Sequence, residues 1–194
     1  MLAADPVIQF GRWLAGAAAA GLPEPNAMVL STVSAQGWPH SRSVLLKAHG
    51  PGGFTFYTNR TSGKGHDLAA TPRASLLFPW YALQRQVIIQ GEVSALSQEE
   101  SEPYFRSRPR GSQLGAWSSR QSSVIESRAV LEERYARLQE RWPEPEPVPM
   151  PGFWGGYQVR PETVEFWQGR ANRMHDRLRY RRDGGGWAVE RLSP

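Results

Sequence analysis

The sequence predicts a mainly β chain, a mostly antiparallel and closed sheet with helices at its periphery. Short runs rich in β-branched and aromatic residues recur between turns bearing glycine or proline. Helical periodicity is confined to a few segments, clearest over 127–142. No internal repeat appears, and no glycine-rich loop has the spacing of a dinucleotide or phosphate-loop motif.

The elements follow in order. In MLAADPVIQFGRWLAGAAAAG, Val7, Phe10, Leu14 and Ala17 or Ala18 share one helical face, so residues 1–25 form a helical segment ahead of a single domain over 26–194. AMVLSTV (27–33), SRSVLLK (41–47) and FTFYT (54–58) read as strands of antiparallel hairpins, separated by SAQG and AHGPGG. SGKGHDLAATP (62–72) is a short helix stopped at Pro72. ASLLFPW (74–80) and RQVIIQGEV (85–93) form the next strand pair, with Pro79 marking an irregular end.

SQEESEPYFRSR opens with a serine followed by acidic residues, which suits a helix start. SRAVLEERYARLQERW (127–142) places Leu131, Tyr135 and Leu138 on one face and its charges on the other. PEPEPVPMP is an extended connector. FWGGYQV, TVEFWQG, RLRYRR and GGWAVERL then supply further short strands.

Composition narrows the function classes. With 194 residues, 40% hydrophobic and 21% charged, the chain suits one soluble globular domain. No apolar run approaches the roughly 18–20 residues of a membrane span. The N-terminus is a poor export signal, so the expected location is the cytoplasm. Having no cysteine excludes disulfides and thiolate chemistry, and His40, His49, His66 and His175 lack metal-ligand spacing, so no metal is expected. The net charge of +5 sets twenty-one arginines and only two lysines, Lys47 and Lys64, against 18 acidic residues. Fixed guanidinium forks suit phosphate, whether on a small molecule or on nucleic acid.

Four stretches could carry chemistry. Arg42 and Lys47 in SRSVLLK fall on opposite faces of a strand, and so serve either a composite pocket or merely solvated strand ends. Lys64 in SGKG combines a point charge with accessible backbone N–H groups, a weak oxyanion motif when isolated. Tyr104, Arg108 and Ser112 recur every four residues, so on a helix they share a face and could converge on one phosphate; an ordinary polar helix end is the alternative. If 173–181 is extended, Arg173, His175, Arg177, Arg179 and Arg181 point to one side, where like charges repel unless anions or carboxylates meet them. These features leave open a phosphate-ligand enzyme, a nucleic-acid module and a plain basic surface.

Taken in order from Asn26 to Pro194, SRSVLLK, FYTNRTSGKG, LLFPW, RQVIIQGEV, YFRSRPRGSQLGAW, SRQSSVI, FWGGY, VEFWQGRANRMHDR and ERLSP resemble the pyridoxine/pyridoxamine 5′-phosphate oxidase family. The resemblance implies an FMN-binding split β-barrel, homodimeric, with FMN at the subunit interface. It also implies oxidation of pyridoxine or pyridoxamine 5′-phosphate at C4′ to pyridoxal 5′-phosphate, with O2 reduced to H2O2. The partners would be a second copy, a phosphorylated pyridine and O2, with no nucleic acid or membrane. Residue by residue, it assigns Arg42, Ser43, Val44, Leu45, Leu46, Lys47, Tyr57 and Thr58 to FMN. Ser62, Gly63, Lys64, Gln86, Gln121, Ser122, Trp167 and Arg177 complete the cofactor set. Lys47, Tyr104, Arg108 and Ser112 match the substrate-phosphate contacts, while Arg173 and His175 match the pair holding the pyridine ring.

Two features depart from the family. Gly63 stands where an arginine is common, with Arg60 as the neighbouring candidate to supply the missing charge, and the N-terminal segment is short, which implies either a reduced lid or a sequence that starts late. The rival readings are a sibling split-barrel flavoenzyme acting on a phenazine precursor and a nucleic-acid module built on the arginine strand.

Overall fold

The computed structural model describes residues 2–194. The first helix, α1 (Pro6–Ala19), begins where Asp5 caps it, its carboxylate accepting from Val7 N at 2.6 Å. Phe10 and Ala17 are fully buried, and the Phe10 ring meets Phe54 and Phe78 edge-on at 5.0 and 4.8 Å. Burying a phenylalanine in this way is worth about 3–5 kcal/mol against truncation to alanine. The contacts of α1 are thus those of a core helix.

Among the described residues, nine strands make one sheet. They are β1 (Ala27–Val33), β2 (Pro39–Leu45), β3 (Ala48–Gly50), β4 (Gly53–Asn59), β5 (Arg73–Trp80), β6 (Arg85–Ala95), β7 (Trp154–Gln168), β8 (Asp176–Asp183) and β9 (Gly186–Leu192). The spatial order is β2-β1-β5-β6-β7-β4-β3, with β8 on β7 and β9 on β8. Every pairing is antiparallel. Residues alternate in and out along β1, β5 and β6, so Met28, Leu30, Leu76, Phe78, Val87 and Ile89 line a single interior.

FWGGYQV and TVEFWQG, expected as separate short strands, are one strand of 15 residues. Its first half pairs with β4 and its second with β8, so β7 passes from one part of the curled sheet to another. A register shift between Gln90 and Gly91 provides the bend. Only glycine fits there, because a Cβ on Gly91 would lie 1.9 Å from the Arg160 carbonyl. The architecture is a split β-barrel.

Four more helices lie outside the sheet: α2 (Gly63–Ala70), α3 (Gln98–Ser107), α4 (Arg110–Ser118) and α5 (Arg128–Arg141). Ser97 and Glu100 close a capping box at the start of α3. Leu114, Trp142 and Val148 form a second small core, to which α5 adds the half-buried Tyr135 and Leu138. The expected single helix through Tyr104, Arg108 and Ser112 is two helices, broken at Arg108 and Pro109.

Candidate active site

A cavity of about 720 Å3 opens where β2, β4, the start of α2 and the α3–α4 junction meet. Its wall includes Arg42, Ser43, Val44, Leu45, Lys47, Tyr57, Thr58, Gly63, Lys64, Tyr104, Arg108, Ser112, Gln121 and Ser122. Arg42 and Lys47 reach the same cavity, although strict alternation would separate them. The reason is that β2 ends at Leu45, and Lys47 leaves it with its N–H donating to Thr55 O at 2.8 Å. Leu46 departs from the predicted set, because its side chain is 4% exposed and joins the core.

Two groups of cations face this space. The first centres on Lys64, whose Nζ donates to Gln121 Oε1 at 2.9 Å and to Thr58 Oγ1 and Ser62 Oγ at 3.2 Å each. Burial, and then the charge of Arg42, lower its pKa. Ser62 lies fully buried behind the wall, capping α2 by accepting from Gly65 N. Gly63 N donates to Ser122 Oγ at 3.1 Å, which fixes the loop after α4 over the start of α2.

The second group centres on Arg108. Its guanidinium lies 4.9 Å from the centre of the Trp154 ring, and its Nη1 is buried without a hydrogen-bond partner among the described residues. Desolvation lowers its pKa, while Tyr104 opposes that shift. Tyr104 stacks on Tyr57 at 4.1 Å, and Lys47 Nζ sits 5.7 Å from the centre of the Tyr104 ring. Despite the helix break, Tyr104, Arg108 and Ser112 line one wall. Trp154, within the FWGGY stretch, was missed as a wall residue; its arginine contact arises only once β7 lies beside α3.

The neighbouring Gly155 and Gly156 answer a different question. A Cβ on Gly155 would lie 2.4 Å from Arg60 Nη2, so glycine admits the Arg60 side chain across β7. There Arg60 donates to the carbonyls of Leu96 and Gly156 and does not line the cavity. It therefore does not replace the charge missing at Gly63.

The remaining predicted residues lie elsewhere on the chain. Gln86, Trp167 and His175 line a separate pocket of about 510 Å3 together with Tyr81 and Arg170. His175 sits 4.7 Å from Trp167, and its Nδ1 accepts from Arg170 N at 3.1 Å. In the neutral ring the proton therefore resides on Nε2. Arg173 lines neither space; it is exposed on a turn where Asn172 and Arg173 have φ of 55° and 61°. Left-handed backbone at a non-glycine residue costs on the order of 1 kcal/mol or more, and it holds Arg173 outward.

The predicted extended run from 173 is corrected, because β8 begins only at Asp176. Its arginines do share a face, and carboxylates meet them. Arg177 is bidentate on Glu165, while Arg179 and Arg181 share Glu190. This pairing removes the unmatched charge that the nucleic-acid reading relied on.

Among the described residues no group of His, Asp or Glu is placed to hold a metal ion, and no helix is long and apolar enough to cross a membrane. FMN requires a grip for a phosphate and a wall for a planar ring. Lys64 and Arg42, a first cation group distinct from Arg108, fit the phosphate; Val44, Leu45 and the Tyr57 ring fit the ring system. The unpartnered Arg108 Nη1 then remains for a second anion.

A curled antiparallel sheet with two cation groups lining one cavity defines a split-barrel protein whose cavity suits phosphorylated ligands. A family model described as pyridoxamine 5′-phosphate oxidase matches residues 14–142, and one described as the pyridoxine 5′-phosphate oxidase C-terminal dimerisation region matches 154–194. The chain belongs to the pyridoxamine 5′-phosphate oxidase family.

Among its relatives, the pyridoxine/pyridoxamine 5′-phosphate oxidase of Salinispora arenicola is 56% identical, covering 100% of this chain and 88% of the relative. That of Frankia alni is 59% identical, covering 100% and 82%. Among solved structures, PhzG from Burkholderia lata, in complex with tetrahydrophenazine-1-carboxylic acid, superposes with a TM-score of 0.93 at 32% identity, covering 99% of this chain and 94% of that one.

Proposed function

We propose that this protein is an FMN-dependent oxidase that converts pyridoxine or pyridoxamine 5′-phosphate to pyridoxal 5′-phosphate. The observation that carries the reading is one cavity with two cation clusters, one around Lys64 and one around Arg108. A cofactor phosphate and a substrate phosphate need separate grips. Relatives named for this activity at 56% and 59% identity across the whole chain support it.

Held in this cavity, FMN would supply the two-electron acceptor for C4′, with O2 as the terminal oxidant and H2O2 as its product; the amine substrate would also consume water and release ammonia. The chain supplies binding and orientation. Lys64, Arg42, Gln121 and Ser122 hold the cofactor phosphate region, and Val44 and Leu45 line its ring. Arg108, Tyr104, Ser112 and Lys47 take the substrate phosphate. With that end anchored, the ring is held for reaction rather than left to tumble.

The remaining site residues come from a second copy. Gln86, Trp167 and His175 line a different pocket of the same chain, and the matched C-terminal dimerisation region supports a homodimer. In the dimer the partner's turn brings Arg173 and His175 to the substrate ring, with Trp167 and Arg177 on the cofactor side. Arg173, held outward by its backbone, suits a contact across an interface.

The second reading, oxidation of a phenazine precursor, is favoured by the close superposition on PhzG. Aerobic turnover of the FMN-loaded protein decides between them. The expected result is pyridoxal phosphate and peroxide in equal amounts, at many equivalents per flavin, from either B6 phosphate. FMN binding with no such product would transfer the assignment to the sibling reaction.

A further inference from the structure

Behind the cavity wall lies a carboxylate that the reaction scheme leaves unassigned. Asp67, on α2 one turn beyond Lys64, is 5% exposed. Its Oδ2 accepts from Thr32 Oγ1 at 2.6 Å and pairs with His40 Nδ1 at 2.9 Å, while Arg42 Nη2 lies 3.6 Å away. Arg42 is held from the same side: its Nη1 donates to Thr32 Oγ1 at 2.6 Å, His40 O at 3.1 Å and Leu30 O at 3.3 Å. Two strands, β1 and β2, and the helix α2 thus converge on one edge of a guanidinium that also lines the cavity.

We propose that Asp67 is a positioning residue that holds Arg42 in the cofactor-phosphate site; this rests on the FMN reading above. The charge of Arg42 disfavours that of the nearby buried Lys64, and Arg42 itself is half-buried. An arginine in that position with no carboxylate behind it would gain by swinging into water. Asp67 supplies the compensating charge, and Thr32 fixes the direction of the fork. Burial pushes the Asp67 carboxyl up, but the bonds from Thr32 and His40 and the charges of His40 and Arg42 outweigh it, so the group stays ionised. The arrangement matters more in this chain because Gly63 contributes no side chain and Arg60 is turned away.

The test compares binding of FMN and of riboflavin, which lacks the phosphate, to the full-length dimer by quenching of flavin fluorescence. Asp67→Asn is expected to weaken FMN binding about tenfold or more, as for loss of a charge-assisted contact, and to leave riboflavin binding unchanged. In an Arg42→Ala background the same substitution is expected to add little. Equal losses for FMN and riboflavin, or an undiminished loss without Arg42, would overturn the proposal in favour of a structural role. If Asp67→Asn does not fold, His40→Ala, at a half-exposed position, carries the test: a smaller FMN-selective loss supports the proposal and an unchanged FMN affinity overturns it. A wild-type protein that binds riboflavin and FMN equally would overturn the phosphate assignment itself, and this inference with it.

Discussion

Lys64 donates its ammonium to Gln121 Oε1 at 2.9 Å, joining the first turn of α2 to the loop beyond α4. Residues far apart in sequence thereby form a single grip, and the lysine is kept there at a cost. It is 8% exposed and has no carboxylate among its hydrogen-bond partners. Such a group stabilises a bound phosphate and destabilises the empty protein.

Replacing Lys64 with methionine therefore has opposite effects on stability and binding. FMN affinity falls by about 10- to 100-fold, the loss of a charged hydrogen bond, while the melting temperature of the FMN-free protein rises. The pH dependence follows from the lowered pKa. Between the folded value and 10.5 the unfolded chain binds more protons, so wild-type stability rises with pH through that window. Melting curves of the FMN-free proteins at about pH 7 and pH 10 should show the wild type gaining on Lys64→Met. A gap that widens as pH rises would contradict the assignment.

Arg108→Ala should separate substrate from cofactor. Its Nη1 is buried and without a partner among the described residues, which suits it to a ligand anion in the cavity it lines. Losing a charged hydrogen bond of about 1.5–3 kcal/mol raises KM for either B6 phosphate by roughly 10- to 150-fold. FMN affinity should change by less than about threefold, because Lys64 belongs to the other cluster. Steady-state kinetics and flavin titration on one preparation measure both.

Mixing subunits tests the composite site. Arg108→Ala and Arg173→Ala proteins, assayed at a substrate concentration far below the raised KM so that each alone shows little activity, should regain activity when unfolded and refolded together. Random pairing in a two-fold dimer makes half the dimers mixed, each with one intact site, so about a quarter of wild-type activity is expected. No recovery from well-refolded mixtures would place Arg108 and Arg173 of one chain in the same site.

Gly63→Arg should improve the cofactor grip. A Cβ at Gly63 meets nothing closer than Ser122 Oγ at 3.6 Å, and Gly63 is not at positive φ. Leaving glycine at the first position of a helix also relieves a backbone penalty. FMN binding should tighten by about 3- to 10-fold, on the scale of one added charged contact, with kcat unchanged. Titration of the FMN-free protein against FMN measures it.

The helices and most strands were legible in the sequence because their signals are local. The apolar spacing of Val7, Phe10 and Leu14, the serine and glutamates at 97–100 and the alternation in RQVIIQGEV each reflect short-range geometry. The predicted residues of SRSVLLK and YFRSRPRGS reach one cavity except Leu46, whose core position depends on where the chain leaves β2. The arginine strand left open whether anions or carboxylates would meet its charge, because its partners, Glu165 and Glu190, lie on neighbouring strands.

By itself, then, the sequence determined a mainly β chain with peripheral helices, a phosphate-suited excess of arginine and, through its ordered motifs, the family. Tertiary structure decided which cations stand together and what partners them. It separated Lys64 from Arg108, turned Arg60 away across β7, and placed Asp67 behind Arg42. Local pattern depends on neighbours within a turn or a strand pair. Electrostatic partnership depends on distance in space, which the register of the sheet and the break at Pro109 set.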